Sequence, residues 1–243
     1  MNGTTNYILS TMEAEGIDFD ICLKSAQQKG YAEANPAADI DGIDIRNKLA
    51  ISSSLAFSSY IKGDVIPTKG IRDISIKDIE YFTSIGKSVR LYADARLENG
   101  SFACRIEPAL FDGTSPEASV YMNNNIFTLY GETIGELKFI GQGAGRYPTA
   151  NAIVQDILDI IAGDRYFGRE IFSEHPTCNN EILKGKYYVR MGKDSQKALD
   201  ALKPFSPVKI KDLPFDAYIT NEAVSADIHE PLKEFEDVFF ARI

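Results

Sequence analysis

Histidine is scarce in this chain of 243 residues: there are two, His175 and His229, far apart in the sequence. That scarcity excludes a histidine-built metal centre and a histidine-dependent hydrolytic triad, both of which need imidazole beside other ligands or a nucleophile. Cysteine is scarce too. Cys22, Cys104 and Cys178 are odd in number and widely separated, which offers no metal-ligand spacing and predicts a reducing, cytoplasmic setting. Positive charge is in deficit, with 26 Lys and Arg against 35 Asp and Glu for a net charge of -9. No basic stripe is available to neutralise phosphates, so nucleic acid is excluded as a partner. No apolar run approaches the length of a membrane span, and Met1-Asn-Gly-Thr-Thr does not read as a signal peptide.

What remains is a globular composition, 44% hydrophobic and 25% charged, long enough for two modest cores. Its most informative stretch runs from Tyr31 to Lys48, Y-A-E-A-N-P-A-A-D-I-D-G-I-D-I-R-N-K, with four carboxylates: Glu33, Asp39, Asp41 and Asp44. Pro36 biases Asn35 away from the α region, so Glu33 belongs to a loop. If the chain is helical from Asp41 onward, Asp44 and Lys48 stand at i and i+4 and share a face. The plain reading of such a pair is a solvated helix stripe worth about 0.3–0.5 kcal/mol. A loop of carboxylates feeding an Asp/Lys helix face also suits a small amine-bearing substrate, since an acid holds the ammonium and a lysine exchanges a proton with a reacting oxygen. The lysine can do so near neutral pH only when burial or neighbours lower its pKa.

The other elements follow from periodicity and punctuation. A first helix is capped by Thr4 or Thr5, carries Tyr7, Ile8, Leu9 and Met12 on one face and stops at Gly16. A second runs from Phe19 to Lys29 and stops at Gly30. The Asp44 helix continues through Phe57, with three consecutive serines, 52–54, weakening its end. Ser75–Ile85 reads as a short helix, and 89–95 and 102–108 read as strands joined at Asn99-Gly100, the strongest hairpin signal in the chain. Asn125–Tyr130 reads as another strand. Residues 137–150 read as strand, glycine-rich turn and helix, an arrangement that points free N–H groups at an anion. By itself G-Q-G-A-G is a weak dinucleotide signal, because the third spacing of G-x-G-x-x-G is wrong, and a tight turn is the simpler reading. After a polar linker the tail reads strand (186–191), helix (195–202), strand (208–213), strand (215–220), helix (227–235) and strand (238–243). The predicted class is α+β: a mixed sheet with helices on one face, followed by a ferredoxin-like βαββαβ unit.

The run from Gly30 to Leu49 resembles the signature of homoserine dehydrogenases, approximately G-[YF]-x-E-x-[DN]-P-x-x-D-x-x-G-x-D-x-x-x-K. The opening N-G-T-T-N-Y-I-L and the later G-x-G-A-G-x-x-P-T-A are similar to the same family. The resemblance implies interconversion of aspartate semialdehyde and homoserine, with NAD or NADP, in threonine and methionine biosynthesis. It implies Glu33, Asp39, Asp44 and Thr4 as substrate-binding residues, Lys48 and Asp44 as catalytic, and Gly143 and Gly145 near the cofactor; no metal is implied. The chain starts where the family's nucleotide-binding domain hands over to the catalytic one, so that domain is expected to be missing here or supplied by a separate chain. Residues 1–165 are expected to form the catalytic and substrate domain and 166–243 an ACT-like domain. The loop beginning at Gly192 lacks the Asp-x-x-Gly-x-Leu that such domains use to approach an effector, whereas a homodimer or larger oligomer through sheet edges fits. Helices 7–12 and 150–161 are both expected to expose apolar surface. The alternative reading is a non-catalytic amino-acid-binding or interaction protein that kept the pocket; the intact Glu33, Asp39, Asp44 and Lys48 favour the enzyme.

Overall fold

The computed structural model describes residues 2–143, 145–163, 172–192, 195–235 and 238–243. Helices α1 (Gly3–Glu15), α2 (Phe19–Gln28), α3 (Ala37–Ile40), α4 (Ile43–Ala56) and α5 (Ile76–Ser84) precede a long hairpin of β1 (Lys87–Glu98) and β2 (Ser101–Asp112). A second ribbon, β3 (Asn124–Gly131) and β4 (Gly135–Gln142), leads to α6 (Arg146–Ala162). Then come β5 (Thr177–Cys178), β6 (Lys184–Gly185), β7 (Tyr187–Arg190), α7 (Ser195–Leu202), β8 (Val208–Lys209), β9 (Ala217–Ile219), β10 (Ala223–Val224), α8 (Ser225–Leu232) and β11 (Phe239–Arg242). Among the described residues no helix is long and apolar enough to cross a membrane.

Local chemistry explains most boundaries. The cap of α1 is Asn2, not Thr4 or Thr5: its side-chain oxygen accepts the Thr5 N–H at 2.8 Å. The two threonines already lie inside the first turn, where their hydroxyls donate to the carbonyls of Tyr31 and Asn2. The three serines do not end α4, because Ser52, Ser53 and Ser54 each donate to a carbonyl one turn back at 2.6 Å and so satisfy their hydroxyls within the helix. A reciprocal Ser75–Asp78 capping box starts α5. The β1–β2 turn sits at Asn99-Gly100, φ 50° and 73°, the positive pair that a two-residue hairpin needs.

The main sheet has the order β1-β2-β11-β7-β9-β8, with β5 alongside the start of β2. Its pairs are antiparallel except β2–β11 and β2–β5. The tail keeps the expected βαββαβ order, and its strands lie β11-β7-β9-β8, but β11 continues the β1–β2 hairpin so that both halves share one sheet. The strand expected at Asn125–Tyr130 is present, yet it pairs only with β4, outside the main sheet. The expected boundary at 165/166 and the Lys193-Asp194 part of the Gly192 loop lie outside the described residues.

Alternation along β7 and β11 divides the interior. Tyr188, Phe239 and Ala241 join the core under α1, α2, α4 and α5, while Tyr187, Val189 and Phe240 join a second core under α7 and α8. Helix α1 does not expose apolar surface: every residue from Thr4 to Met12 is buried. It is covered by α2, α5 and β1, and Tyr7 packs on Tyr31 at 5.0 Å between ring centroids. Helix α6 behaves as expected. None of its residues is buried, and Ile153, Ile157, Ile160 and Ile161 form an exposed stripe in which Ile161 is 76% accessible.

The seam between β2 and the tail is closed by a charge. Glu107 is fully buried and is met by Arg105 and Arg242, each with Nε 3.3 Å from Oε1, and by His229 Nε2 at 2.8 Å from Oε2. Ser225 donates to it at 2.9 Å and Tyr187 at 3.1 Å. Burial by itself raises the pKa of this carboxyl, but the His229 contact, the Arg105 charge and the Ser225 hydroxyl outweigh it and hold the group below its ordinary value. Its stabilising effect is therefore complete above about pH 4.5, the ordinary value, and is lost as pH falls through the depressed one. Glu107→Gln removes the one carboxylate that faces Arg105, Arg242 and His229 together, leaving Arg105 with Asp94 alone as charge partner among the described residues, and is expected to cost about 3 kcal/mol and to flatten the acid limb of stability, measured by urea unfolding at several pH values. Ile153→Glu with Ile157→Glu is expected to suppress self-association in light scattering with no loss in melting temperature, because neither side chain is buried.

Candidate active site

The loop that carries Glu33 is fastened at both ends. The N–H groups of Tyr31 and Ala32 donate to the Ala26 carbonyl at the end of α2, and the Gln27 amide donates to the Glu33 carbonyl at 3.1 Å. The Thr4 hydroxyl pins the same loop to α1 through the Tyr31 carbonyl at 2.6 Å. Downstream, Ile71 N–H donates to the Ile40 carbonyl at 2.8 Å, a contact possible because a Cβ at Gly70 would lie 2.0 Å from that carbonyl oxygen. Arg72 grips Asp41 with two bonds of 2.8 Å, so Asp41 is a structural acid that fixes the turn between α3 and α4.

The remaining acids converge on α1. Asn2 Nδ2 donates to Asp39 Oδ1 at 2.7 Å and to Asp44 Oδ2 at 2.8 Å. Lys48 Nζ donates to the same Asp44 oxygen at 2.8 Å, the i, i+4 contact expected from the spacing. Asn2 is 4% accessible, whereas the side chains of Asp44 and Lys48 are 31% and 44% accessible. The group thus has a buried root and an open edge. Glu33 is exposed, and its carboxylate makes no hydrogen bond to a described residue. Two cavities of about 590 and about 450 Å³ lie elsewhere, one beside Ile51 and Tyr60 and the other beneath His229 and Lys233.

The glycine turn is tied to the same end of α1. Asn6, one turn after Asn2, donates to the Asn124 carbonyl at 2.8 Å and to Asn125 Oδ1 at 3.4 Å. A Cβ at Gly143 would lie 1.8 Å from Asn125 Nδ2, so any larger residue there would have to displace the Asn125 amide. Gly145, φ 125°, stands at the start of α6. Asn2, Asn6 and Asn125 are the residues that sequence reasoning passed over. Asn2 had a local signal, being a preferred cap residue just before a helix. Nothing local shows that its amide reaches acids 37 and 42 residues away.

The homoserine dehydrogenase family model matches residues 1–158. Among curated relatives, homoserine dehydrogenase of Synechocystis sp. is 42% identical over 165 residues, 66% of this chain and 38% of that protein. That of Pseudomonas aeruginosa is 32% identical over 201 residues, 79% of this chain and 46% of that protein. A solved homoserine dehydrogenase from Thiobacillus denitrificans superposes with a TM-score of 0.79 at 28% identity, over 99% of this chain and 62% of that one. The chain therefore spans less than half the length of these curated relatives. The matched region holds the carboxylate loop, the Asp44–Lys48 helix and the glycine turn, and the chain belongs to the homoserine dehydrogenase family.

Proposed function

We propose that this chain is the substrate-binding and proton-transferring portion of a homoserine dehydrogenase, an oxidoreductase that interconverts aspartate semialdehyde and homoserine with NAD or NADP. The observation that carries the reading is the open edge of the Asn2 group, where Lys48 Nζ rests on Asp44 at 2.8 Å. In the reducing direction the aldehyde carbon gains a hydride and its oxygen a proton. Lys48 donates that proton and its charge stabilises the developing alkoxide; in the oxidising direction it accepts the hydroxyl proton. Asp44 holds the lysine and the substrate's hydroxyl end, Glu33 takes the ammonium, and Asp39 supports the surrounding hydrogen-bond network. The Thr4 hydroxyl serves the site by anchoring the Glu33 loop.

The glycine turn fits a nicotinamide dinucleotide: Gly143 permits close backbone approach and Gly145 opens a helix whose first N–H groups face an anion. The bound nicotinamide supplies or accepts the hydride. We place the rest of the cofactor site on polypeptide beyond these 243 residues, in the same protein or a separate chain, and assign the exposed stripe of α6 to that contact. A homoserine dehydrogenase mutant from a hyperthermophilic archaeon, solved in complex with NADPH, superposes with a TM-score of 0.54 at 25% identity, over 69% of this chain and 46% of that one. Residues 1–165 form the substrate portion and 166–243 an ACT-like unit, a division supported by the separate core under α7 and α8. The outer sheet edge at β8 suits a homodimer or larger oligomer. Three thiols, none in a disulfide, suit the cytoplasm.

The 243-residue chain by itself is expected to show negligible homoserine oxidation, since the glycine turn supplies only one edge of the site that must orient the hydride acceptor; robust NADP-dependent turnover by the purified chain would sink that expectation. Joined to a compatible nucleotide-binding domain, Lys48→Ala is expected to lower kcat by roughly 100-fold or more with the fold intact. Lys48→Arg does not rescue it, because a guanidinium keeps its proton. Glu33→Gln raises KM for homoserine by about tenfold through loss of the charge-assisted bond. Near-normal kcat in Lys48→Ala returns the pair to a solvated helix stripe.

A further inference from the structure

We infer that the cavity of about 450 Å³ beneath His229 is a binding site for a small aliphatic amine without a carboxylate, held by Asp64 of one half of the molecule and Asp227 of the other. The inference goes beyond the proposed function and does not depend on it. Part of the lining is the segment 64–69, which precedes the β1–β2 hairpin, and part is α8 of the tail; Ile66, Pro67 and Phe240 give it an apolar surface suited to an alkyl chain. The charges around it are not equivalent. Lys69 donates to Asp73 and to the Val238 carbonyl at 3.3 Å and lies over the Phe240 ring at 5.6 Å, and Lys233 donates to Glu230 at 2.5 Å. Both lysines therefore bring their own counter-charge. Asp64 and Asp227 do not: both are exposed, and neither carboxylate has a hydrogen-bond or ion-pair partner among the described residues.

A buried group in the lining asks for the same kind of ligand. His229 lines the cavity and is 7% accessible. Its Nε2 lies 2.8 Å from Glu107 Oε2. An ionised carboxylate only accepts, so the ring hydrogen there sits on Nε2, and the nitrogen left for a ligand is Nδ1, an acceptor in the neutral ring. Nδ1 has no hydrogen-bond partner among the described residues, and a buried acceptor without a donor carries a cost that a ligand N–H removes. Two carboxylates and an imidazole acceptor call for a cation that carries several N–H groups. Among the described residues no group of His, Cys, Asp and Glu is arranged to hold a metal ion, so the cation is organic. A ligand carboxylate is repelled by the same two acids, which separates this ligand from the amino-acid substrate of the proposed function. A diamine fits best, with one ammonium for the acid of each half. The segment 64–69 also leads towards the candidate active site. Lys69 N–H donates to the Ile106 carbonyl at 2.8 Å, Ile106 N–H donates to the Pro67 carbonyl at 2.9 Å, and Gly70 then passes beneath Ile40 and Asp41. An occupant that holds this segment against α8 steadies the support of the α3–α4 turn.

The test uses the full chain and three probes: 1,4-diaminobutane, butylamine and butyrate. 1,4-Diaminobutane is expected to raise the melting temperature in step with its concentration and to move the His229 Nδ1 resonance in nitrogen NMR, with butylamine weaker and butyrate without effect. Asp64→Asn and Asp227→Asn are each expected to lower the affinity for 1,4-diaminobutane about tenfold, the loss of one charge-assisted bond. Both side chains are exposed, so the variants without ligand melt near the unchanged chain. Glu132→Gln, at an exposed acid between β3 and β4, controls for general attraction of a cation to a chain of net charge -9 and is expected to keep full affinity. Absence of any shift with either amine, equal binding of butyrate, or the same loss in Glu132→Gln as in Asp64→Asn overturns the inference. Displacement of 1,4-diaminobutane by equimolar homoserine puts both in one site and overturns it as well.

Discussion

Glu107 sits in the middle of β2 with no access to water, and the two halves of the molecule are joined by the groups that make its charge tolerable. Arg105 comes from β2 itself, Tyr187 from β7, Ser225 and His229 from α8, and Arg242 from β11. A buried carboxylate that loses such partners is far more costly than one that never had them. The tail therefore cannot leave the β1–β2 hairpin without exposing an unpaired charge, and the single parallel backbone pairing of β2 with β11 at Arg242 and Ala109 is reinforced by side chains. A second polar tie lies nearby, where Asp94 takes Arg105 at 3.1 Å.

The hairpin so fixed gives α1 its resting place. Most core helices bury one apolar stripe, but α1 is buried from Thr4 to Met12 and carries Thr4, Thr5, Asn6, Ser10 and Thr11 among its hidden residues. Buried polar groups of this kind are tolerated when each finds a partner. For Thr4, Asn6, Thr5 and Ser10 those partners are the Tyr31 carbonyl, the Asn124 carbonyl and the carbonyls of Asn2 and Tyr7, and Thr11 meets the Tyr7 hydroxyl. Satisfying α1 thus fastens the acidic loop on one side and the β3–β4 ribbon on the other. Placing Asp44 and Lys48 on the half-exposed edge of α4 then gives a site with a rigid root and an accessible rim, a combination that suits proton transfer to a small substrate.

What could be read from the chain was what local chemistry determines. The Asp44–Lys48 spacing, the Asn99-Gly100 hairpin and the βαββαβ order of the tail are short-range signals, and the structure contains all three. Other features depend on distant partners. The Tyr7, Ile8, Leu9, Met12 pattern looked like one face of an exposed helix because the partners of its polar positions lie up to 119 residues away. The alternation at Asn125–Tyr130 identified a strand but not its neighbour. Glu107 lies in the run 102–108 that reads as a strand, and nothing local shows that its carboxylate is fully buried at the joint. Asn2 combined both limits: its capping oxygen is a local matter, while the two hydrogens that give it importance depend on the fold.

The most direct test of the account is a crystal structure of this chain with homoserine bound. The account predicts the ammonium against Glu33 and the hydroxyl oxygen about 3 Å from Lys48 Nζ. Homoserine found instead in the cavity beneath His229 and Lys233, or with its hydroxyl turned away from Lys48, would contradict the assignment of this edge of α4 as the place where the proton moves.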